Sequence, residues 1–237
     1  MCSEARGRWL ALLALVLLLP LLLGLGFWQL ERAAQKRALQ ALAGERAAQP
    51  AIDLAALAGL ADPQLRRVWL HGHFDAAHSL LLDNRLRDGR PGVELLQPFL
   101  DHASGRWVLV NRGWLAWPDR REMPRFTTPA GELRLLAQVY RMPGQPLRLG
   151  ALPAGGDFPR LVAVVDAAAL WRELGRAGLA DELRLLDGPG RQRGDWPLLN
   201  MTPHKHLGYA VQWFALAATL LGLALWRLWP RRKEAHA

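Results

Sequence analysis

The segment His204-Lys205-His206-Leu207-Gly208-Tyr209-Ala210-Val211-Gln212-Trp213-Phe214 opens a long uncharged run with two imidazoles, one amine and three aromatic rings. On a helix, His206, Tyr209, Ala210 and Trp213 fall at i, i+3, i+4 and i+7 and form one stripe. A histidine at the polar edge of an apolar helix can ligate haem iron, and an aromatic stripe could lie along the macrocycle. Anchoring of Tyr and Trp at a headgroup layer accounts for the aromatics but leaves His206 unexplained. His204 lies about 200° around such a helix from His206 and cannot share its face.

Two other clusters could carry chemistry. His71-Gly72-His73 places two imidazoles on one face if the segment is a strand, so both could meet one metal ion. Zinc and copper sites need a further ligand, which Asp75 or His78 would have to supply. Without it the pair reads as two surface histidines flanking a glycine bend. Asp75, His78 and Ser79 sit within one short turn, whereas members of a catalytic triad converge from separate elements. Neither a Gly-rich phosphate loop nor a Cys-x-x-Cys-His haem attachment occurs. We therefore assign no catalytic residue and expect no enzyme.

These residues must be positioned by elements whose ends differ from the middle. Trp9–Leu30 and Leu207–Trp226 contain no charged residue, and 20 residues at 1.5 Å each span about 30 Å of hydrocarbon. Trp9 and Trp28 bracket the first run, and Trp226 and Trp229 close the second, where amphipathic rings favour the headgroup layer. The first run is longer than the apolar core of a cleaved signal and no Ala-x-Ala follows it directly, so it reads as an anchor. The organisation expected is a cytoplasmic tail (1–8), a first span (9–30), a water-facing domain (31–205), a second span (206–229) and a cytoplasmic tail (230–237).

Charge supports this arrangement. The net charge of +9 divides into +4 on the tails and +5 on the segment Glu31–Lys205. The six tail cations, Arg6, Arg8, Arg227, Arg231, Arg232 and Lys233, outnumber Arg32, Lys36, Arg37 and Lys205 on the opposite flanks, which favours cytoplasmic tails. Within the middle segment Arg is scattered among Asp and Glu rather than concentrated on one element, which argues against nucleic acid as a partner. Cys2 is the only cysteine, so no intrachain disulfide is possible. Only eight residues precede Trp9, too few for an Arg-rich mitochondrial presequence, so we read a bacterial inner-membrane protein.

The middle segment reads as short strands separated by turns. Residues 66–71, 79–83, 93–99, 107–115, 133–141, 161–165 and 183–186 alternate or are apolar, and Asp88–Gly92, Ser104-Gly105 and Pro129-Ala130-Gly131 punctuate them. Asp53 and Asp166 are placed to cap short helices, and Glu31–Leu42 continues the first span as an amphipathic stalk. The loops Met142–Pro159 and Asp187–Pro197, rich in Pro and Gly, read as mobile. The fold class expected is two transmembrane helices flanking one mostly antiparallel, barrel-like α+β periplasmic domain. Gly72 suggests a bulge or close backbone approach, and Asn111-Arg112 a polar network ending a central strand.

At this point a family resemblance becomes specific. Gly26-Phe27-Trp28-Gln29-Leu30-Glu31-Arg32 resembles the Gly-x-Trp-Gln-x-x-Arg pattern that ends the first span of the surfeit-locus-one family, assembly factors for haem-copper cytochrome c oxidase. In order along the chain, further segments are similar to that family: Arg67-Val68, Gly72-His73-Phe74-Asp75, Gly92 with Pro98-Phe99, Val108–Trp114, and His206 with Tyr209-Ala210 and Trp213-Phe214. The resemblance implies a periplasmic domain, cytoplasmic termini and a role in supplying haem a to oxidase subunit I. It implies oxidase subunit I, haem a synthase and the lipid bilayer as partners, and haem a as a cargo carried transiently rather than used. His206 falls on the family's histidine at the start of the second span, which implies axial ligation of haem iron. Haem a has an apolar macrocycle and charged propionates, so Arg32 and Lys205 could pair with the propionates while Tyr209 and Trp213 flank the ring. A membrane-tethered module that steadies an oxidase intermediate without touching haem is the alternative.

Overall fold

The computed structural model describes residues 2–141, 157–196 and 201–229. It divides into two compact units. One comprises Ala43–Trp196, and the other the two terminal helices, the first as far as Leu42.

The helical unit follows from the two uncharged runs. Helix α1 spans Cys2–Ala48, so the stalk expected after Leu30 is a continuation of the same helix. Helix α3 spans Pro203–Leu228, with Thr202 at its N-cap position and Pro203 in its first turn, where proline's missing N–H costs nothing. Both are long and apolar enough to cross a bilayer. Their large side chains face outward: Trp9, Val16, Phe27, Val211, Leu223 and Trp226 are each more than half exposed, an arrangement that water would penalise and lipid would not.

The other unit is built from strands whose alternation is legible residue by residue. Strands β1 (Ile52–Asp53), β2 (Arg67–Phe74), β3 (Leu80–Leu82), β4 (Gly92–Asp101), β5 (Arg106–Ala116), β6 (Leu133–Tyr140), β7 (Arg160–Val162) and β8 (Gly178–Asp187) form one sheet. The order β2-β6-β8-β5-β4 closes on itself because β4 also pairs with β2, giving a five-stranded barrel. β1 extends it beside β2, and β3 and β7 extend it beside β4. Most pairings are antiparallel as expected, but β1–β2, β3–β7 and β5–β8 are parallel. Period-2 alternation sends Val68, Leu70, Val108, Val110, Leu135, Ala137, Val139, Leu183 and Leu185 into one core, with Phe74 and Phe99 meeting edge to face at 5.0 Å.

Two short helical segments cover the barrel. Leu54–Gly59 is a 3₁₀ turn; Asp53 stands at its N-cap position but makes no side-chain capping bond. Helix α2 (Ala167–Leu174) begins as the sequence predicts, with the Asp166 carboxylate accepting from the Ala169 N–H at 2.9 Å. It packs Leu170 and Trp171 on Leu80, Leu82, Leu96 and Leu109.

The segment Asn111-Arg112-Gly113-Trp114 ties the barrel together. Arg112 is fully buried and donates to the carbonyls of Gly190 (2.8 Å) and Thr127 (2.7 Å) and to Gln97 Oε1, while its guanidinium lies 5.2 Å from the Phe74 ring centre. Burial pulls its pKa down to about 10, which still leaves a cation at neutral pH. Asn111, on the opposite face, donates from one amide to both Glu94 and Glu182 at 2.9 Å. Gly113 has φ of 122°, and a Cβ there would meet the Arg193 carbonyl at 2.7 Å. The loop after β8 was expected to be mobile; residues 187–196 are instead tied to β5, since Gln192 N–H donates to the Arg112 carbonyl at 2.7 Å and Trp114 N–H to the Arg193 carbonyl at 2.7 Å. Of the other loop, residues 142–156 lie outside the described residues. Gly72 is a close-approach glycine, because a Cβ would fall 1.8 Å from the Leu100 carbonyl oxygen.

Candidate functional site

The site is made where the end of the first apolar run meets the start of the second. In α3 the buried positions Pro203, His206, Ala210, Ala217 and Ala224 recur at three, four and seven residues, a narrow stripe facing a neighbouring helix. The facing positions on α1 are small as well: Ala33 is fully buried, and a Cβ on Gly26 would meet the Phe214 ring at 2.5 Å. Phe27 and Phe214 meet edge to face at 5.3 Å. Small residues let helices approach closely where no water drives them together.

That approach brings His206 to Gln29. His206 is 8% exposed, and its Nδ1 lies 2.7 Å from Gln29 Oε1. A carbonyl oxygen only accepts, so Nδ1 carries the proton and Nε2 keeps its lone pair. Nε2 is itself buried and has no hydrogen-bond partner among the described residues. An orienting partner on one imidazole nitrogen and a bare lone pair on the other is the arrangement found in metal-ligating histidines. The Trp213 indole Nε1–H is likewise buried without a partner.

The other residues singled out from sequence surround this pair to differing degrees. Trp213 is half-buried, seven residues from His206, whereas Tyr209 is 44% exposed and stands on the flank of the stripe. Lys205 and His204 are exposed. Arg32 is exposed, donates to Gln35 Oε1 at 3.0 Å and lies 5.5 Å from the Trp28 ring centre. Gln29 is the residue that sequence reasoning placed at the right depth without giving it a role. Its signal was the Trp-Gln pair closing the first apolar run.

The remaining candidates lie in the β unit. His71 and His73 do share a face of β2, but His73 pairs with His102 rather than with His71. Asp75 and His78 are joined at 2.6 Å, while the Ser79 hydroxyl donates to the Ala76 carbonyl and accepts from Gln97, so the three form no nucleophile–base–acid relay. Burial acts to raise the Asp75 carboxyl, but hydrogen bonds from Arg176 and His78 outweigh it and hold the group below the ordinary carboxylate range.

With this geometry in hand, comparison with known proteins is decisive for the family. The model of the SURF1 family matches residues 16–218, which include Gln29, Arg32, Lys205, His206, Tyr209 and Trp213. The chain belongs to the SURF1 family. It is similar to the "SURF1-like protein" of Rickettsia bellii, at 27% identity over 215 residues, 87% of this chain and 85% of that one. It is 30% identical over 164 residues to the "SURF1-like protein" of Caenorhabditis elegans, covering 64% of this chain and 45% of the nematode protein. It is 30% identical over 86 residues to the "Cytochrome oxidase assembly protein SHY1" of Saccharomyces cerevisiae, covering 35% of this chain and 22% of the yeast protein. The chain thus spans less than half the length of the yeast and nematode relatives and most of the length of the Rickettsia one.

Proposed function

We propose that this protein is an assembly factor for haem-copper cytochrome c oxidase that holds haem a on His206 and assists its delivery to subunit I, beside the haem a synthase that makes it. The protein sits in a bacterial inner membrane on α1 and α3, with its barrel in the periplasm and its termini in the cytoplasm. Membership of the SURF1 family, and similarity to a yeast cytochrome oxidase assembly protein, support the assembly role. The observation that carries the haem reading is His206: a buried imidazole whose Nδ1 is fixed by Gln29 and whose Nε2 lone pair is unpartnered.

The residues divide the work by depth. Gln29 accepts the hydrogen bond from Nδ1–H and so fixes the ring's orientation and tautomer, leaving Nε2 as the nitrogen that would meet a metal. Trp213 supplies an apolar face and an indole donor, and Tyr209 lies on the flank that the macrocycle would cover. Arg32 and Lys205 are exposed cations near the polar ends of their helices and would meet the propionates through charge-assisted hydrogen bonds. Because Nε2 is buried, holding iron there would require the side chains over it to move aside.

The test is to purify wild type, His206→Ala and Gln29→Leu in detergent from cells making haem a and to measure Soret absorbance per protein. We expect pigment in the wild type, almost none with His206→Ala, and a reduced amount with Gln29→Leu. Equal pigment in wild type and His206→Ala would remove the ligand assignment and favour a tether that steadies an oxidase intermediate without binding haem.

A further inference from the structure

His102 is the residue that changes the meaning of the His71-Gly72-His73 segment. The antiparallel pairing of β2 with β4 sets Gly72 opposite Asp101 and His73 opposite Leu100, and His102 N–H then donates to the His71 carbonyl at 2.8 Å. This register brings the His102 ring beside His73: His73 Nδ1 and His102 Nε2 are 2.9 Å apart, with ring centres 5.0 Å apart and planes inclined by 65°. Two nitrogens that approach each other this way share a single proton as the protein stands.

The surroundings decide where that proton is. His102 Nδ1 lies 2.8 Å from the Glu132 carboxylate, which can only accept, so Nδ1 is a protonated nitrogen and, in the neutral ring, Nε2 carries the lone pair. A carboxylate holding the outer nitrogen of an imidazole is the usual outer support of a metal-bound histidine. In that state His73 Nδ1 donates the bridging hydrogen bond. Its proton can pass to that ring's own Nε2 through solvent, which frees both facing nitrogens as acceptors, with no net change in protonation, and a small turn of the rings would let them share one ion.

We propose that His73 and His102 form a binding site for a divalent d-block cation that favours tetragonal nitrogen coordination, of the Cu²⁺ type. Two imidazoles bound cis at about 2.0 Å place their nitrogens roughly 2.8–2.9 Å apart, whereas a tetrahedral Zn²⁺ site needs about 3.3 Å. The observed separation is that of a hydrogen bond and lies within a small ring movement of either, and the affinity order of nitrogen sites places Cu²⁺ first. Hard cations such as Mg²⁺ and Ca²⁺ seek oxygen cages, and monovalent copper seeks thiolates and thioethers, neither of which this pair offers.

The loop that presents His102 is held rigidly. Asp101 is 1% exposed, and its carboxylate accepts from the His71 N–H (2.8 Å), the Ser104 N–H (2.9 Å) and the Ser104 hydroxyl (2.7 Å). Trp107 stands edge-on to His73 at 6.4 Å, and Arg176 stacked on it is neutralised by its ion pair with Asp75. Beside the pair, His73, Phe74 and Glu132 line a cavity of about 380 Å³ together with the turn Thr128–Gly131. Among the described residues no third His, Cys, Asp or Glu completes a ligand set, so water or an exchangeable ligand would fill the remaining positions of the ion. The site is thus a weak, open one, suited to reversible binding.

The test uses the full chain, purified in detergent without a histidine tag and titrated with Cu²⁺. Variants are His73→Gln, His102→Gln, the double variant and, as a control for the membrane histidines, His204→Gln/His206→Gln. We expect electron paramagnetic resonance of the wild type to show a tetragonal Cu²⁺ signal with hyperfine structure from two equatorial imidazole nitrogens. Each single variant should lower affinity at least about tenfold, the double variant should lose one equivalent of Cu²⁺, and the control should keep it. Glu132→Gln should weaken binding by about tenfold while leaving the signal's shape intact, as expected for a group that orients a ligand. Because both rings lie near the surface, melting temperatures confirm that the variants remain folded. The same stoichiometry, affinity and spectrum in His73→Gln/His102→Gln as in wild type would overturn the site.

Discussion

Replacing Arg112 with Met removes a buried side chain that ties β5 to Gln97, Thr127 and Gly190 by hydrogen bonding, and its cost can be worked from the structure. Methionine fills much of the same volume, so little cavity opens. What is lost is the donor set: Gly190 O, Thr127 O and Gln97 Oε1 each lose the guanidinium that satisfies them. A buried acceptor left without a donor costs about 1–3 kcal/mol, and relief from desolvating the cation offsets part of the sum, so we expect a net loss of about 3 kcal/mol or more. That is a large share of the 5–15 kcal/mol typical of a domain and corresponds to a fall in Tm of roughly 6–12 °C. Arg112→Lys should be intermediate, since one ammonium cannot meet three acceptors held by different segments. Thermal unfolding of the full chain in micelles, followed by near-ultraviolet circular dichroism from the buried Trp114, Trp117 and Trp171, measures the effect. A shift below about 2 °C for Arg112→Met would refute the view that these hydrogen bonds hold the barrel.

Other perturbations separate the remaining arguments. Gly72→Ala should destabilise the barrel by about 3 kcal/mol or more in the same assay, because its Cβ would sit 1.8 Å from a backbone oxygen that cannot retreat without parting β2 from β4. Burial raises the Glu182 carboxyl, against the pull of Arg184 and Asn111, so the folded state holds a proton that the unfolded state releases as pH rises above 4.5; the stability of Glu182→Gln relative to wild type should therefore grow from pH 4.5 towards neutrality, and a constant difference would exclude this. Asp75 has the opposite sign: its lowered folded value contributes stability above 3.8 that is lost as pH falls through the folded value, so Asp75→Asn should flatten the acid limb of the Tm profile. A reporter active only in the periplasm should work when fused after Gly144 and fail at the C-terminus, and activity at the C-terminus would overturn the two-span arrangement.

Much of the fold was legible because its signals are local. The two uncharged runs, the alternation along β2 and β6, and the capping Asp166 depend on residues within a few positions of each other; β2, β6 and α2 formed near their expected bounds, whereas the helix that carries the first run continues to Ala48. A barrel-like sheet was expected, but the strand pair that closes it was not legible. It depends on β4 pairing with β2 at Gly72–Phe74 while β1 occupies the other half of the same strand edge, and nothing local to either segment specifies that division. The parallel β5–β8 pairing was hidden for the same reason, since α2 and the residues outside the described set intervene. The 187–196 loop read as mobile from its glycines and proline, yet those glycines serve close approach to Arg112 and Leu135 rather than freedom.

The candidate site divides along the same line. Residue type and depth marked His206, because an imidazole at the threshold of an apolar helix has no anchoring role. What depth could not supply was the partner that orients the ring. Gln29 is 177 positions away, and its carbonyl fixes the imidazole's proton on Nδ1 only because Gly26 and the alanine stripe of α3 let the helices close to within a hydrogen bond. The same limit hid His102 from the reading of His71 and His73, where the true neighbour lies across a strand pair rather than two residues along. In both places one nitrogen is locked by an acceptor from a distant segment, Gln29 or Glu132, and the other is left to meet something else. A histidine's chemistry is set by which of its nitrogens is already engaged, and that fact belongs to the packing of elements rather than to the order of residues.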